Sequence, residues 1–537
     1  MKRVLSLVFV VCLLMSVLSV ISVSAQTTEN GFSYEIKDGK VTITAYTGDG
    51  NEVVIPDTIE DCPVTAIGSM VFENKKSIVS VTIPDTVTNI GMYAFSNCTG
   101  LSDITIPGGV TSIGMGAFKC CDKLKSIIIP DSVTVIGDYA FDDCDDLTSV
   151  EIPPSVTTIG THAFYHCDYL ATVRISEGVT SMGDEVFGWS KRLENIDVDP
   201  NNNAFTSIDG VLFDKSVSTL YKYPPNKEGE VYEVPSGVVT IDKEAFYHSG
   251  KLKSITIPKT VTSIGLYAFG SCSKMEQFNV DSANPVYCSV DGVLFDKMNS
   301  ILIRYPQNDK RESYVIPEGT VAVGEGTFSG CHWLKNITIP QGVTSMGEEA
   351  FYGCSSLESI VIPEGVTVVE YYAFRGCRAL RSVTIPESVT TIERSAFYEC
   401  VNLESIAIPE GVEEIKYRAF YGCINLTSVI LPPSVVELSR NAFDGVNNLT
   451  IYGYRGSRAE FYATRDNFPF VALDEIKKGD VNNDGVVNIK DATAIQKHLA
   501  LIETIKVEMF FVADFNEDDY ISIKDATEIQ KSIAGII

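Results

Sequence analysis

Histidine, positive charge and long apolar runs are what this chain has least of. Five of its 537 residues are histidine: His162, His166, His248, His332 and His498. His162 and His166 have the i, i+4 spacing of a helical metal pair, but the glutamate of an H-E-x-x-H site is missing, which excludes that metalloprotease chemistry. The 42 Lys and Arg are outnumbered by 70 Asp and Glu, for a net charge of −28. A polyanion would be repelled over most of such a surface, so nucleic acid is excluded as a general partner, and the charge itself serves solubility. Beyond the first twenty or so residues, no stretch could span a bilayer. The exception is the beginning: Lys2 and Arg3, an apolar run from Val4 to Val20, then small Val23, Ser24 and Ala25. That layout predicts a secretory signal peptide cut after Ala25, with an uncleaved anchor as the alternative, and an extracellular mature protein with no membrane contact after cleavage.

What the chain has in abundance is repetition. Aligned, "SVTIPDTVTNIGMYAFSNCTGL", "DITIPGGVTSIGMGAFKCCDKL" and "SIIIPDSVTVIGDYAFDDCDDL" put anchor prolines at Pro84, Pro107 and Pro130, a step of 23. The series continues at Pro153 and Ser176, resumes at Pro235 and Pro258, and runs from Pro317 through Pro340, Pro363, Pro386 and Pro409 to Pro432. A fixed period in this range means a solenoid. Within a repeat, Ser80-Val81-Thr82-Ile83 alternates and predicts one short strand per coil, with Val81 and Ile83 inward and Pro84 ending the ladder. Val87 and Ile90 return inward, Gly91 permits a sharp turn, and Ala94, Phe95 and Cys98 have spacing that suits a helical turn. No coil can bury its own apolar face, so stacked coils must share one core.

The motif L-x-x-[IV]-x-I-P-x-x-V-T-x-I-G-x-x-A-F-x-x-C resembles the bacterial surface-antigen (BspA-like) class of leucine-rich repeats, over Val53 to Arg455. The fold class expected is a mainly β repeat solenoid. Two coils are longer: from Asp199 to Pro235 and from Asp281 to Pro317 the step is 36. Their extra residues match, "SIDGVLFDKSVSTLYKYP" against "SVDGVLFDKMNSILIRYP", and Asp-Gly followed by Val-Leu-Phe predicts an inserted strand pair. Thr450 to Ala463 lacks the repeat and is expected to cap the open end.

Ten of the fourteen cysteines, Cys98, Cys121, Cys144, Cys167, Cys272, Cys331, Cys354, Cys377, Cys400 and Cys423, stand fourteen residues after their anchors. They are expected to stack as a column of buried free thiols, because parallel Cβ vectors disfavour the disulfide dihedral, and to be too shielded to act as nucleophiles. Cys62, Cys120 and Cys288 fall off the column. The outward strand position two before each anchor carries no aromatic. Tyrosines do recur beside the Ala-Phe pair, at Tyr93, Tyr139, Tyr165, Tyr247, Tyr267, Tyr352, Tyr372, Tyr398 and Tyr421, as a candidate binding ridge or as cover for coil junctions.

The chain closes on calcium chemistry. A twelve-residue calcium loop supplies oxygens from positions 1, 3, 5, 7, 9 and 12 and needs a sharp turn at 6. Counting from Asp480 gives Asp480, Asn482, Asp484, the main chain of Val486, Asn488 and Asp491, with Gly485 at the turn. A copy 34 residues on gives Asp514, Asn516, Asp518, the main chain of Tyr520, Ser522 and Asp525, with Asp519 in place of glycine. Each loop is followed by a helical pattern, with Ile495 and Leu499, or Ile529 and Ile533, inward, and no helix is expected before either loop. This duplicated loop-helix, from about Lys478 to Ile537, resembles a type I dockerin, a small all-α calcium-binding module that plugs into the cohesins of a scaffoldin. The resemblance implies two Ca2+ ions, a cohesin partner, and cohesin contacts at Ile489, Lys490, Gln496 and Lys497 or at Ile523, Lys524, Gln530 and Lys531. Since the halves read "IKDATAIQK" and "IKDATEIQK", either is expected to face the cohesin.

The domain organisation expected is therefore a signal peptide at 1–25, an N-terminal cap at 26–52, the solenoid at 53–455, a cap and linker at 456–477, and the dockerin at 478–537. The function expected is that of a non-catalytic, secreted cellulosome component whose solenoid binds a protein or a cell-wall polysaccharide. The alternatives are a glycoside hydrolase-type activity, whose carboxylate pair needs a measured separation to recognise, and a cell-surface adhesin.

Overall fold

In the computed structural model, the described residues are 26–28, 30–500, 505, 509–516 and 521–535. The chain forms two compact units, divided after Lys227. Both are built of stacked coils, a mainly β solenoid, and among the described residues helices occur only toward the C-terminus. The predicted signal peptide lies outside the described residues.

The first unit opens with an antiparallel hairpin, Phe32–Lys37 against Lys40–Tyr46, and the second of these strands pairs in parallel with Cys62–Ile67. From there the 23-residue period becomes register. Ser112 sits beside Asn89 on one side and Val135 on the other, and Ile113 beside Ile90 and Ile136. A second ladder joins Ser149–Ile152, Thr172–Ile175 and Asn195–Val198, with Val150 and Ile152 buried and Glu151 outward. Most coils therefore contribute two short strands where the sequence suggested one: Asn89–Ile90 is long enough to pair because its neighbours offer a two-residue strand at the same place, Ala66-Ile67 on one side and Ser112-Ile113 on the other.

The third side of the coil also departs from expectation. The Ala94-Phe95-Cys98 stretch is a run of tight turns and no helix, because Tyr93 (φ 53°) and Asn97 (φ 58°) are left-handed. Alternate N–H groups close local turns, Ala94 to the Gly91 carbonyl and Cys98 to the Phe95 carbonyl. The others reach the next coil: Tyr93, Phe95 and Asn97 donate to the carbonyls of Met115, Ala117 and Lys119 at 2.8 Å. Every buried backbone group on this side thus finds a partner without regular secondary structure. Gly91 has a role other than the one expected. Its φ is ordinary, but an added Cβ would lie 2.6 Å from the carbonyl carbon of Gly68, so close approach of successive coils is what demands glycine.

The core is a set of one-residue columns. Phe72, Phe95, Phe118, Phe141 and Phe164 are fully buried and stack with centroids 5.0–5.3 Å apart. The spacing is that of the strand ladder, so backbone pairing and ring stacking satisfy one another at the same repeat distance. Full burial of each ring contributes about 2–3 kcal/mol. Beside the rings, the buried thiols of Cys98, Cys121, Cys144 and Cys167 donate to the carbonyls of Phe72, Phe95, Phe118 and Phe141 at 3.1–3.4 Å. Where the column carries Ser190, its hydroxyl makes the same bond to the Phe164 carbonyl at 3.1 Å. The 36-residue coil adds three antiparallel strands, Phe205–Ile208, Val211–Asp214 and Thr219–Lys222, one more than the sequence suggested. Its first turn has positive φ at both Asp209 and Gly210, as a tight Asp-Gly hairpin requires.

The second unit repeats this design. Phe328, Phe351, Phe374, Phe397, Phe420 and Phe443 stack at 5.1–5.2 Å, and the thiols of Cys354, Cys377, Cys400 and Cys423 bond to Phe carbonyls at 3.1–3.2 Å. Its own long coil folds as Tyr287–Val290, Val293–Asp296 and Ile301–Arg304. Thr450–Gly453 still pairs with Ser428–Ile430, and Phe470–Ala472 pairs with Thr450–Gly453 in turn, so the sheet continues two strands beyond the recognisable repeat. Helix Arg458–Asp466 then buries Ala459, Tyr462 and Ala463, with the Tyr462 ring edge-on to Phe443 at 5.8 Å, which ends the Phe column.

Candidate calcium loops and partner-binding faces

Helices Ile489–Leu499 and Ile523–Ile533 each begin with a capping box. Asn488 and Ser522 are the N-caps, and Asp491 and Asp525, both wholly buried, reach back to the N-cap N–H at 2.8 Å. Position 12 of each loop is thus also the third helical residue, which fixes loop and helix together. The other oxygen of Asp491 accepts from Asn482 N–H at 3.0 Å, and that of Asp525 from Phe515 N–H at 2.9 Å. Asp480, 2% exposed, accepts from the N–H groups of Asp484 at 3.0 Å and Gly485 at 2.8 Å. Gly485 turns with φ +83°. Asp484 and Asn482 are exposed at the loop rim, and the Asn488 amide donates to the Val486 carbonyl at 2.7 Å.

The donor set suits a hard cation: three carboxylates, two carboxamides and one main-chain carbonyl in the first loop, with no nitrogen or sulfur ligand. Among the described residues no three His, Cys, Asp or Glu side chains converge as a metal cluster; Asp480 and Asp491 spend one lone pair of each oxygen on backbone N–H groups and keep the other. In the second loop Asp514, Asn516, Ser522 and Asp525 are described, while Asp518 and Tyr520 lie outside the described residues.

The module's core is small: Val481, Ala492, Ile495, Ile505, Met509, Val512, Ala513, Ala526 and Ile529. Leu499 and Ile533, expected inward, are 42% and 45% exposed, while Ile495 and Ile529, one turn earlier, are fully buried. A single helical turn, Phe510–Ala513, precedes the second loop where none was expected. Of the cohesin-contact candidates, Ile489 and Ile523 are each 57% exposed, and Lys490, Gln496, Lys497 and Lys524 are exposed as well. Gln530 and Lys531 are half-buried, and Lys531 pairs with Glu528 at 2.8 Å.

On the solenoid the tyrosine ridge is real but broken. In the first unit Tyr139, His162 and Tyr165 pack ring to ring, and His166 stacks on Trp189 at 5.0 Å. The two histidines belong to this aromatic run, a role their i, i+4 spacing concealed; Cys120 occupies the same coil position as His166 and Trp189, thirteen residues after the anchor, with the same left-handed backbone (φ 55°, 56° and 57°). In the second unit Tyr398 stacks on Tyr421 at 4.7 Å, and Arg375 lies over Tyr372 at 4.4 Å and Tyr398 at 4.6 Å. Arg375 was missed in the sequence, although the period places it twelve residues after Pro363, in the column of Tyr352, Tyr398 and Tyr421. The second long coil borders a hollow of about 210 Å3 lined by Tyr267, Tyr287, Asp296, Arg304 and Glu325. Burial pushes the Glu325 carboxyl up, and the Asp296 oxygens accept from Met298 and Asn299. The buried Arg304 guanidinium donates to the carbonyls of Gly326 and Ser329.

With this geometry in place, comparison with known proteins decides the family. Residues 65–194, 226–301, 304–417 and 390–458 match the BspA type leucine rich repeat region, in six copies. The chain belongs to that family. Residues 478–534 match the type I dockerin domain. Among solved structures, the chain is similar to a leucine rich cell surface protein from Faecalibacterium prausnitzii at 30% identity, covering 81% of this chain and 96% of the other with a TM-score of 0.41. A leucine-rich repeat protein from Eubacterium ventriosum is 26% identical, with 78% and 97% covered and a TM-score of 0.46. One from Bacteroides ovatus is 28% identical, with 83% and 100% covered and a TM-score of 0.34. No curated protein matches the chain. A BspA-type solenoid joined to a dockerin implies a binding role for the first and a cohesin partner, in a cellulosome-type assembly, for the second. Neither matched domain is a catalytic one. Among the described residues no helix is long and apolar enough to cross a membrane.

Proposed function

We propose that this protein is a secreted, non-catalytic cellulosome component that docks by a calcium-dependent dockerin and presents its solenoid to a protein or carbohydrate ligand. The observation that carries the reading is the duplicated capping box. Asp491 and Asp525 are buried carboxylates whose oxygens tie a loop to the first turn of its helix. Asp480, Asn482, Asp484, the Val486 carbonyl, Asn488 and Asp491 would hold one Ca2+. Asp514, Asn516, Asp518, the Tyr520 carbonyl, Ser522 and Asp525 would hold the second. The ions neutralise carboxylates that otherwise repel across each loop, so loop, helix and exposed face are ordered together.

That face carries Ile489 and Lys490, or Ile523 and Lys524: an exposed β-branched side chain beside a cation at the start of each helix. Either half can then meet the cohesin. The test is affinity for cohesins, measured on the whole chain with calcium and with excess chelator. Binding is expected in calcium and lost by more than a hundredfold in chelator; equal affinity in both sinks the reading. Ile489→Asp or Ile523→Asp alone is expected to change affinity less than threefold, and the two together to abolish binding. For the solenoid, mixing the protein with insoluble cell-wall polysaccharides and following both its depletion and released reducing sugar separates a tether from a hydrolase. Released sugar would overturn the non-catalytic reading.

A further inference from the structure

Once the period is used as a ruler, the last coils of the second unit carry a column that neither matched domain explains. Eight residues after the anchors Pro363, Pro386, Pro409 and Pro432 stand Tyr371, Arg394, Tyr417 and Arg440, tyrosine and arginine in strict alternation. They are at the surface, with Arg394, Tyr417 and Arg440 exposed. A second row lies beside them: Tyr371 stacks on Tyr372 at 3.8 Å, Arg375 covers Tyr372 and Tyr398, and Arg418 lies over Tyr417 at 4.9 Å and Tyr421 at 5.0 Å. From Tyr371 through Arg375 and Tyr421 to Tyr417, rings and guanidinium groups follow one another in a single run, with Arg394 and Arg440 standing in the column beside it.

Few of the charges on this strip are held in ion pairs. In a chain with a net charge of −28, where Arg378 pairs with Glu399, Arg381 with Glu404 and Arg465 with Asp466, no ion pair among the described residues reaches Arg375, Arg394, Arg418 or Arg440, although Arg375 acts on the Glu349 carboxyl and Arg440 on that of Asp466 from further away. Arg418 Nε is buried and has no hydrogen-bond partner. Lys416 holds Glu393 at 2.5 Å and Glu414 at 3.7 Å; Glu414 and Glu437 line an open hollow of about 510 Å3 between Arg394, Tyr417 and Arg458, and among the described residues Glu437 makes no ion pair there. Arginine recognises carboxylates with a planar two-pronged donor, and a tyrosine ring offers a flat apolar face with a polar edge. A ligand that satisfies both at once carries carboxylates and flat C–H surfaces in alternation. Coils repeat at about 5 Å, so arginines recur every ~10 Å along the column. Such a row fits a linear polymer better than a compact molecule.

We propose that this Tyr/Arg strip binds a linear polyuronate, a polysaccharide with carboxylates on its sugar rings. The proposal rests on the reading of the solenoid as a polymer-binding surface and names its face and ligand class. It is tested with the whole chain at fixed calcium, by retention on polygalacturonate, its methyl-esterified form, a neutral glucan and polyglutamate. Expected is retention on polygalacturonate that weakens with salt and on esterification, and that falls at least tenfold in Arg394→Ala/Arg440→Ala and in Tyr417→Ala. Arg394→Lys/Arg440→Lys should recover only part of it, since the charge returns without the two-pronged geometry. All these side chains are exposed, and unchanged circular dichroism checks the fold. Unchanged retention in the variants, indifference to esterification, or equal binding to polyglutamate would each overturn the proposal. Binding to the neutral glucan alone would overturn it and leave the carbohydrate-binding reading standing, whereas no retention on any sugar polymer would remove both.

Discussion

The solenoid and the C-terminal module solve the same problem in opposite ways. In the solenoid, one coil's apolar residues lie on the next coil's identical residues, and any coil is stabilised by two neighbours that resemble it. The module has, among its described residues, nine buried apolar ones, only one further copy of its loop-helix unit to pack on, and three buried aspartates, Asp480, Asp491 and Asp525. A core that small is marginal without additional help. The difference teaches where each region is expected to draw its stability: from copy number in the first and, on the function proposed above, from bound cations in the second.

Chelation should separate the two most sharply. Removing calcium is expected to melt the last sixty or so residues as a distinct transition while the solenoid's β signal persists; calorimetry showing one shared transition, with or without calcium, would break the contrast. Next in size is Phe397→Ala. It deletes a fully buried ring stacked at 5.2 Å on Phe374 and Phe420, and about 3–5 kcal/mol should be lost in urea unfolding of the solenoid, with cohesin affinity unchanged. A smaller effect is expected for Cys400→Ser. Ser190 already makes the column's bond to a Phe carbonyl, so no more than about 1–2 kcal/mol should be lost. The same column should resist alkylation at pH 8 until denaturant is added, because burial pushes thiols such as Cys377 and Cys423 up to about 12. Rapid labelling of the native protein at these positions would contradict the packing.

The smallest expected effect concerns acidity. Burial raises the carboxyls of Asp122, Asp142 and Asp145, and neighbouring carboxylates add to it. A raised folded pKa means that the native state binds more protons than the unfolded chain between the unfolded value, near 3.9, and the raised one. Stability from these groups is therefore present at low pH and lost as pH rises through their folded values. Mild acidification from pH 7 should lift the solenoid's unfolding temperature slightly, and a fall would show that depressed carboxylates elsewhere dominate.

Much of this was legible in the sequence because repetition prints geometry as arithmetic. The anchor prolines gave the coil, the column at fourteen gave the buried thiols, and the loop positions gave Asp480 and Asp491. What stayed hidden depended on contacts between coils. Asn89–Ile90 is a strand only because its neighbours pair with it, and Tyr93 adopts a left-handed φ that tyrosine does not favour alone. Gly91 looked like a turn residue and is a contact residue. Arg375 carries no motif, and only its place in the column links it to the tyrosines. In the module, helical spacing counted Leu499 and Ile533 as core, but a periodic pattern shows which face of a helix is apolar and not how far along it burial extends: Ile495 and Ile529 are buried and the next turn is not.

The turn side of each coil has one more consequence. Its inter-coil bonds all run the same way: Tyr93, Phe95 and Asn97 donate forward to the following coil, and Glu349, Phe351 and Gly353 do likewise in the second unit. Amide groups aligned in series add their dipoles, as they do along a helix. The neighbouring side of the coil answers it: Thr88 and Gly91 donate backward to the Thr65 and Ile67 carbonyls, and Thr111 and Gly114 to those of Thr88 and Ile90. Two opposed sets of dipoles thus run along each stack, and coils can be added without a large electrical direction building up.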